Sequence, residues 1–175
     1  SGGEYIQAKA VGFDRAGGGV NAVRLEGREA LACDHVVIAA GAWSHRLSAE
    51  LGEPFPLESE RGYHMVLPHS GVETNRPISF GERKFMCTTM EPGLRFAGTV
   101  EFAGLEAEPN WGRADKLLTH AKEIFPDVDL RDAKPWMGQR PATPDSLPVI
   151  GRSQKHSNVA YAFGHGHLGL TGGAI

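Results

Sequence analysis

The first 40 residues contain short runs of apolar and polar residues, a pattern typical of β-strands rather than helices. The triplet Gly17-Gly18-Gly19 and the segment 26–29 have the composition of turns and separate these runs. The predicted strands are Tyr5 to Val11, Val20 to Leu25, and a third that begins at Leu31. We therefore expect the chain to open with a small β-meander.

A different pattern follows at 36–40, where the apolar residues are unbroken up to Gly41. A continuous, largely β-branched run that ends in glycine is typical of a strand buried on both faces of a parallel sheet. Ser44 can cap the N-terminus of a helix over 45–51, and Gly52 can end that helix. This order predicts an α/β segment after the meander.

Pro54 and Pro56 mark a linker, and strand-like patterns return beyond it. Turn-forming residues at 68–71 and 91–93 separate three further predicted strands, which favours an antiparallel sheet. These strands are Gly62 to Leu67, Lys84 to Met90, and Leu94 to Phe102.

A single amphipathic helix is predicted over 114–125, where the apolar residues share one face and Pro126 ends the helix. The segment 138–151 is rich in proline and predicts fixed turns, and 158–163 predicts another strand. A glycine-rich loop from Gly164 then opens a helix. The fold class expected from these elements is α+β or α/β, with an antiparallel sheet and helix beside a partial parallel sheet.

The composition is that of a globular protein, with 41% hydrophobic and 22% charged residues. The net charge of −3 provides no electrostatic footprint for nucleic acid. No apolar run approaches the roughly 18 residues of a membrane-spanning helix. Cys33 and Cys87 are too few for a disulfide framework.

Two glycine-rich segments could bring the backbone close to a ligand. Gly41 to Ser44 follows the predicted parallel strand, at the edge where open α/β sheets bind ligands. Gly164 to Thr171 presents backbone N–H groups at a helix start, where an anion or cofactor can bind. Ordinary turns remain the alternative at both places. His165 and His167 have no Cys or carboxylate at ligand spacing, so no metal site is predicted.

Two side chains are candidates for substrate contacts. Arg140 lies between Gly138 and Pro141, and a guanidinium on such a restricted backbone suits bidentate binding of a carboxylate. A surface arginine bonded to loop carbonyls is the alternative. Tyr63 begins a strand, where its hydroxyl can bind a ligand or the ring can simply be buried.

Four segments, VVIAAGAWS at 36–44, RGYH at 61–64, GQRPATPDSLPVIG at 138–151 and GHGHLGLT at 164–171, carry a family resemblance in their order and spacing. They resemble the D-amino-acid oxidase-like FAD-dependent oxidoreductases, closest to the small subunit of bacterial D-amino-acid dehydrogenase. The strand–GxGxxG–helix unit that opens the FAD domain in that family is missing here. We therefore expect this chain to be a fragment.

The resemblance implies three segments: a partial Rossmann-like FAD-binding domain at 1–56, a substrate-binding domain at 57–137, and a return to the FAD domain at 138–175. It also implies that Arg140 grips the substrate carboxylate, and that Tyr63 and His167 contribute polar contacts near the substrate. The residues that would approach FAD are Gly41, Ala42, Trp43, Gly164, His165, Gly166, His167, Leu168, Gly169, Leu170 and Thr171.

The activity implied by the resemblance is the FAD-dependent oxidative deamination of D-amino acids to 2-oxo acids and ammonia, with oxygen or a quinone as electron acceptor. Two alternatives remain open: oxidation of glycine, sarcosine or another secondary amine, and a non-catalytic ligand-binding or interaction domain. We expect the fragment alone to be inactive, to lack FAD, and to form a homodimer through exposed strand edges. The family implies a cytoplasmic location, with peripheral association at the inner membrane known among its members.

Overall fold

Within residues 2–173, which the computed structural model describes, eleven strands form three sheets. The strands are β1 (Ala10–Ala16), β2 (Gly19–Leu25), β3 (Leu31–Ala32), β4 (Val36–Ile38), β5 (Glu58–Leu67), β6 (Ile78–Phe80), β7 (Phe85–Met90), β8 (Gly93–Phe102), β9 (Lys134–Ala142), β10 (Val149–Arg152) and β11 (Val159–Phe163). The helices are α1 (Ser44–Glu50), α2 (Gly112–Ile124) and α3 (Gly169–Gly172), with a 3₁₀ turn at Gly41–Trp43. None of these helices is long and apolar enough to cross a membrane.

The chain divides into two units. The first unit contains the chain up to Glu58 together with the chain from Pro141 onward, and the second unit is Ser59–Arg140. The predicted mixed α/β class, with antiparallel sheets and few helices, is confirmed.

The first unit holds the meander β1–β2–β3 and a three-stranded sheet in the order β10–β11–β4. In that sheet β4 pairs in parallel with β11, and β10 pairs antiparallel with β11. The core joins side chains from both sheets with Leu51 at the end of α1; the sheet residues are Phe13, Val20, Ile38, Val159, Tyr161 and Phe163.

Three sequence predictions for this unit need correction. The first strand was expected at 5–11, but β1 forms at Ala10–Ala16, where pairing with β2 buries Phe13. The run 36–40 was expected to be buried on both faces, but β4 is a three-residue edge strand and Val37 is 65% exposed. Ser44 was expected to be an N-cap, but the 3₁₀ turn leads directly into α1, so Ser44 lies inside the helix.

The second unit is built on a five-stranded sheet in the order β6–β7–β8–β5–β9. The pairs β7–β8 and β5–β8 are antiparallel, as the strand pattern predicts. Strand β6 was not predicted, and it pairs antiparallel with β7. One face is buried under α2, which begins and ends within two residues of its predicted bounds. The core of this unit comprises Tyr63, Met65, Leu67, Phe85, Cys87, Leu94, Phe96, Ala114, Leu117, Ala121 and Val128.

Strand β9 was not predicted, because the proline-rich segment from 138 was interpreted as turns. The structure instead places Pro135 and Pro141 in β9, at an edge of the sheet. Proline has no N–H to donate, and an edge strand tolerates that loss. The consequence is that Arg140 belongs to a strand and not to a loop.

Candidate substrate and cofactor sites

Strand alternation gives the five-stranded sheet two chemically different faces. Met65 on β5 and Phe96 on β8 are cross-strand partners in the core that packs on α2. The alternating positions must lie on the other face, because side chains along a strand point to opposite sides. There His64 lies opposite Ala97, and Val66 lies opposite Arg95. We call this side, turned away from α2, the distal face.

Arg140 lies on the distal face above Gly62. A β-carbon added at Gly62 would overlap Nη2 and Cζ of Arg140, so the guanidinium rests on the bare backbone of β5. Its Nη1 donates to Oε1 of Glu60 at 2.9 Å. The guanidinium is thus held by one carboxylate and a glycine, and keeps further donors for a ligand.

Trp136 and His64 form a stacked pair on the same face. Their ring centroids are 4.7 Å apart with an interplanar angle of 14°. Gly138 makes room for the indole, because a β-carbon there would overlap the Trp136 ring. Trp136 is 53% exposed and so presents a flat apolar surface beside the imidazole.

The His64 imidazole is neutral at pH 7. Burial, and then the positive charge of Arg95, lower the pKa of His64 to about 4. Its Nδ1 is buried without a hydrogen-bond partner in the described structure. His64 therefore offers hydrogen bonding without adding charge to the distal face.

Arg95 is the second cation on this face. Burial, and then the charge of Arg140, lower the pKa of the Arg95 guanidinium. Its Nη1 contacts the sulfur of Met90 at 3.9 Å, and its Nε is buried with no partner among the described residues. The distal face thus gathers two guanidinium groups and one neutral imidazole.

Tyr63 is not among these groups. It lies in the core on the side of α2 with 1% exposure, donates its hydroxyl hydrogen to Glu101 at 2.5 Å, and accepts from the Asn110 N–H at 2.9 Å. Its neighbour Arg61 is fully buried and donates to three carbonyl oxygens, those of Gly104, Ala107 and Glu108. Both side chains fasten the loop after β8 to the sheet, and neither reaches the distal face.

In the first unit, the two predicted glycine-rich segments follow the carboxyl ends of β4 and β11, at the same end of the sheet. Because β4 and β11 are parallel neighbours, with Ile38 opposite Tyr161, the chain leaves both strands at the same end. Open α/β sheets bind ligands at the carboxyl ends of their strands. Gly41 and Gly164 begin the two departing segments with φ of +54° and +84°, a conformation that favours glycine.

Apolar side chains are exposed in these two segments. Trp43 is 47% exposed in the first, and Leu168 and Leu170 are 56% and 100% exposed in the second. Gly166 also has a positive φ, of +55°, and its N–H donates to the Pro141 carbonyl at 2.8 Å. Exposed apolar groups beside open glycine backbone suit a large, flat ligand.

The two histidines of the second segment lie in its turn and loop residues. His167 is exposed in the turn before α3, and no cluster of three potential metal ligands occurs within the described residues. Helix α3 has four residues, too few for a strong terminal dipole. The segment therefore contributes backbone and apolar surface rather than charge.

Four residues of the distal face were not identified from sequence: Glu60, His64 as a functional group, Arg95 and Trp136. A signal existed for Arg95, which is a cation between two core positions, Leu94 and Phe96, of a predicted strand. Strand alternation alone would place it on the non-core face. Trp136 gave no such signal because its strand, β9, was not predicted.

Comparison with known proteins decides the family. The model of the family described as FAD dependent oxidoreductase matches residues 1–175. The chain belongs to this family. It is 44% identical over 178 residues to a D-amino-acid oxidase of Bradyrhizobium diazoefficiens, covering 99% of this chain and 42% of that protein. It is 38% identical over 139 residues to a D-amino acid dehydrogenase of Paramagnetospirillum magneticum, covering 77% and 32% of the two chains.

Solved structures agree on the fold. The chain superposes on glycine oxidase from Geobacillus kaustophilus with a TM-score of 0.78 and 24% identity, over 95% of this chain and 45% of that one. It superposes on L-proline dehydrogenase from P. horikoshii with a TM-score of 0.72 and 20% identity, over 93% and 45%. The chain thus spans less than half the length of these proteins, and it shares their fold.

The end of the sheet where β4 and β11 finish suits FAD on structural grounds. A flavin is a flat ring system that needs close backbone approach on one side and apolar cover. An added β-carbon at Gly41 would have nothing within 4 Å. Trp43, two residues further along the chain, is exposed, and so is Leu168 in the segment that follows β11. The residues at this end of the sheet therefore fit the cofactor named in the family description.

Proposed function

We propose that the full-length protein oxidises the α-carbon of D-amino acids and releases a 2-oxo acid and ammonia. In this proposal the second unit is the substrate domain and the first unit is part of the FAD domain. The observation that carries the proposal is Arg140 on the distal face, seated over Gly62 with donors available beyond its bond to Glu60. The similarity to a D-amino-acid oxidase supports the choice of substrate.

Arg140 binds and orients the substrate carboxylate in this proposal. A planar guanidinium fixes a carboxylate through two parallel hydrogen bonds, so it sets the direction of the α-carbon as well as the affinity. Glu60 holds Nη1 of Arg140 at 2.9 Å and thereby limits the rotamers of the side chain. The resulting orientation lowers the entropic cost of reaching a reactive geometry.

His64 and Trp136 form the wall beside that carboxylate. The neutral imidazole can hydrogen-bond the substrate amine without repelling it, since the pKa of His64 is about 4. The exposed indole of Trp136 excludes water from one side of the substrate. His167 remains our candidate for a further polar contact to the substrate, whereas Tyr63 is better explained as a core residue that holds Glu101.

In this proposal the segments Gly41 to Trp43 and Gly164 to Thr171 would hold FAD, and the cofactor would supply the hydride-accepting chemistry. Gly41 and Gly164 allow the backbone of these segments to come close to the ring system. Trp43 and Leu168 provide apolar contact.

The test uses the full-length protein, purified and kept free of oxygen. D-alanine, L-alanine, glycine and sarcosine are added in turn while the visible absorbance of the flavin is recorded. We expect D-alanine to bleach the flavin and L-alanine to leave it unchanged. Bleaching by glycine or sarcosine alone would contradict the D-amino-acid assignment, and a colourless protein would favour the non-catalytic binding domain.

The variant Arg140→Ala tests the assigned role in the same preparation. Two charge-assisted hydrogen bonds to the carboxylate would be lost, so we expect KM for D-alanine to rise about a hundredfold or more. Arg131→Ala is the matched control, because Arg131 is an exposed arginine of the same unit that pairs with Asp129. Unchanged kinetics in Arg140→Ala would remove Arg140 from the substrate site.

A further inference from the structure

Arg95 lies on the distal face without a carboxylate partner among the described residues. Its cross-strand neighbours on that face are Val66 on β5 and Thr88 on β7, neither of which carries charge. Within residues 2–173 its hydrogen-bond contact is to a weak acceptor, the sulfur of Met90, 3.9 Å away. The Nε atom is buried and unpartnered. A buried donor on a cation is costly to leave unpaired, so this arrangement needs an explanation.

The surroundings of Arg95 make the absence of a counterion more significant. Arg140 is close enough for its charge to lower the pKa of Arg95, and His64 is neutral at pH 7. The only carboxylate that pairs with either guanidinium in the described structure is Glu60, on Arg140. Two positive charges and one negative charge leave the cluster with one unmatched positive charge.

We propose that Arg95 and Arg140 together bind a single carboxylate group on the distal face. One carboxylate matches the one unmatched charge and supplies an acceptor for the terminal Nη groups of Arg95. The inference rests on the proposed function in that this carboxylate is the one carried by the amino-acid substrate. It assigns Arg95 as a second carboxylate-binding residue beside Arg140.

The neutral groups around the two arginines favour this shared binding over two separate anion sites. His64 is the cross-strand partner of Ala97, two residues from Arg95 on β8, and Arg140 rests over Gly62, two residues from His64 on β5. His64 thus lies between the two positions and brings no negative charge to either of them. The cations share one low-charge surface, where a single anion relieves the repulsion between them.

The experiment measures binding of propionate to the full-length protein by isothermal titration calorimetry. Propionate has the carboxylate and lacks the amine, so it binds without being oxidised. Propionamide, which has the same shape and no charge, is the control ligand. We expect Arg95→Met to weaken propionate binding about 10- to 100-fold, the effect of losing a hydrogen bond to a charged group. Arg95→Lys should restore part of the loss, because it returns the charge without the planar fork.

Arg131→Met is the matched control variant, since it removes an exposed arginine charge from the same unit. It should bind propionate as the unchanged protein does, and neither variant should alter the weak response to propionamide. Wild-type affinity for propionate in Arg95→Met would overturn the proposal. If Arg95→Met does not fold, Arg95→Lys decides: wild-type affinity in that variant overturns the shared site, and a severalfold loss supports it.

Malonate, with two carboxylates, separates the shared site from two independent ones. If Arg95→Met weakens malonate and leaves propionate unaffected, Arg95 binds a different anion and the proposal is wrong. Failure of this inference differs from failure of the proposed function. Propionate binding does not require the reaction, because propionate is not a substrate. If propionate binds tightly in an Arg95-dependent way but D-alanine does not bleach the flavin, the proposed reaction is wrong and the proposed carboxylate site stands.

Discussion

The variant Gly62→Ala tests the position of the Arg140 guanidinium while leaving its charge in the protein. A β-carbon at residue 62 would overlap Nη2 and Cζ of Arg140, so the guanidinium must leave its seat on the distal face. The backbone of Gly62 has no positive φ, and alanine is therefore compatible with the strand. Since the displaced atoms end a flexible side chain, we expect the free energy of unfolding to change by less than about 1 kcal/mol.

The cost should instead appear in substrate binding. A displaced guanidinium loses at least one charge-assisted hydrogen bond to the carboxylate, worth about 1.5–3 kcal/mol. At about 1.4 kcal/mol for each factor of ten, this corresponds to a rise in KM of roughly 10- to 150-fold. The loss should be largely in KM, because Gly62→Ala leaves Trp136 and His64 in place.

Steady-state kinetics of the full-length protein with D-alanine test this expectation, with thermal unfolding measured on the same samples. Gly81→Ala is the control, because a β-carbon at Gly81 meets nothing within 4 Å and its φ is not positive. That variant should behave as the unchanged protein. A KM within twofold of the unchanged value in Gly62→Ala would show that the seat of Arg140 over β5 is not its substrate-binding position, and the site would have to be placed elsewhere.

Two further predictions concern His64 and Tyr63, the residues that follow Gly62 on β5. Burial, and then the charge of Arg95, lower the pKa of His64 to about 4, whereas an unfolded histidine titrates near about 6.5. The unfolded state therefore binds the proton first, and the free energy of unfolding should fall as pH drops from about 6.5 towards 4. Thermal unfolding midpoints measured across this range should decrease with falling pH in the unchanged protein, and should decrease less in His64→Asn. Tyr63→Phe removes the hydroxyl bonded to Glu101 and to the Asn110 N–H, so chemical denaturation should show a loss of about 1–2 kcal/mol. KM for D-alanine should not change in that variant, and a clear increase would return Tyr63 to the substrate site.

Local pattern was sufficient for some elements and not for others. The helix at Gly112–Ile124 and the strand at Gly93–Phe102 follow from periodicity that a short window contains. Strand β9 does not, because its prolines have the same composition as a turn and only their position at a sheet edge makes them acceptable. Ser44 shows the same limit, since a preceding 3₁₀ turn occupies the place of the expected cap.

The candidate site divides along the same line. Arg140 could be proposed from its own restricted segment, and the two glycine segments from theirs. Arg95 and Trp136 could not, because their role depends on which strands flank β5, and strand order is not written in the periodicity of any one strand. The face assigned to Tyr63 was also undetermined until the pairing with β8 was known.

The parallel pairing of β4 with β11 also has a consequence for the order of assembly. The whole of the second unit separates these two strands along the chain. During synthesis the contiguous segment 59–140 is complete before β11 emerges, and contiguous units fold as they emerge. Until then β4 lacks its partner and presents an open strand edge, which is prone to pair with other chains. A ligand that needs the shared end of β4 and β11 can therefore bind only to a polypeptide that has been translated past Phe163, and not to a shorter nascent chain.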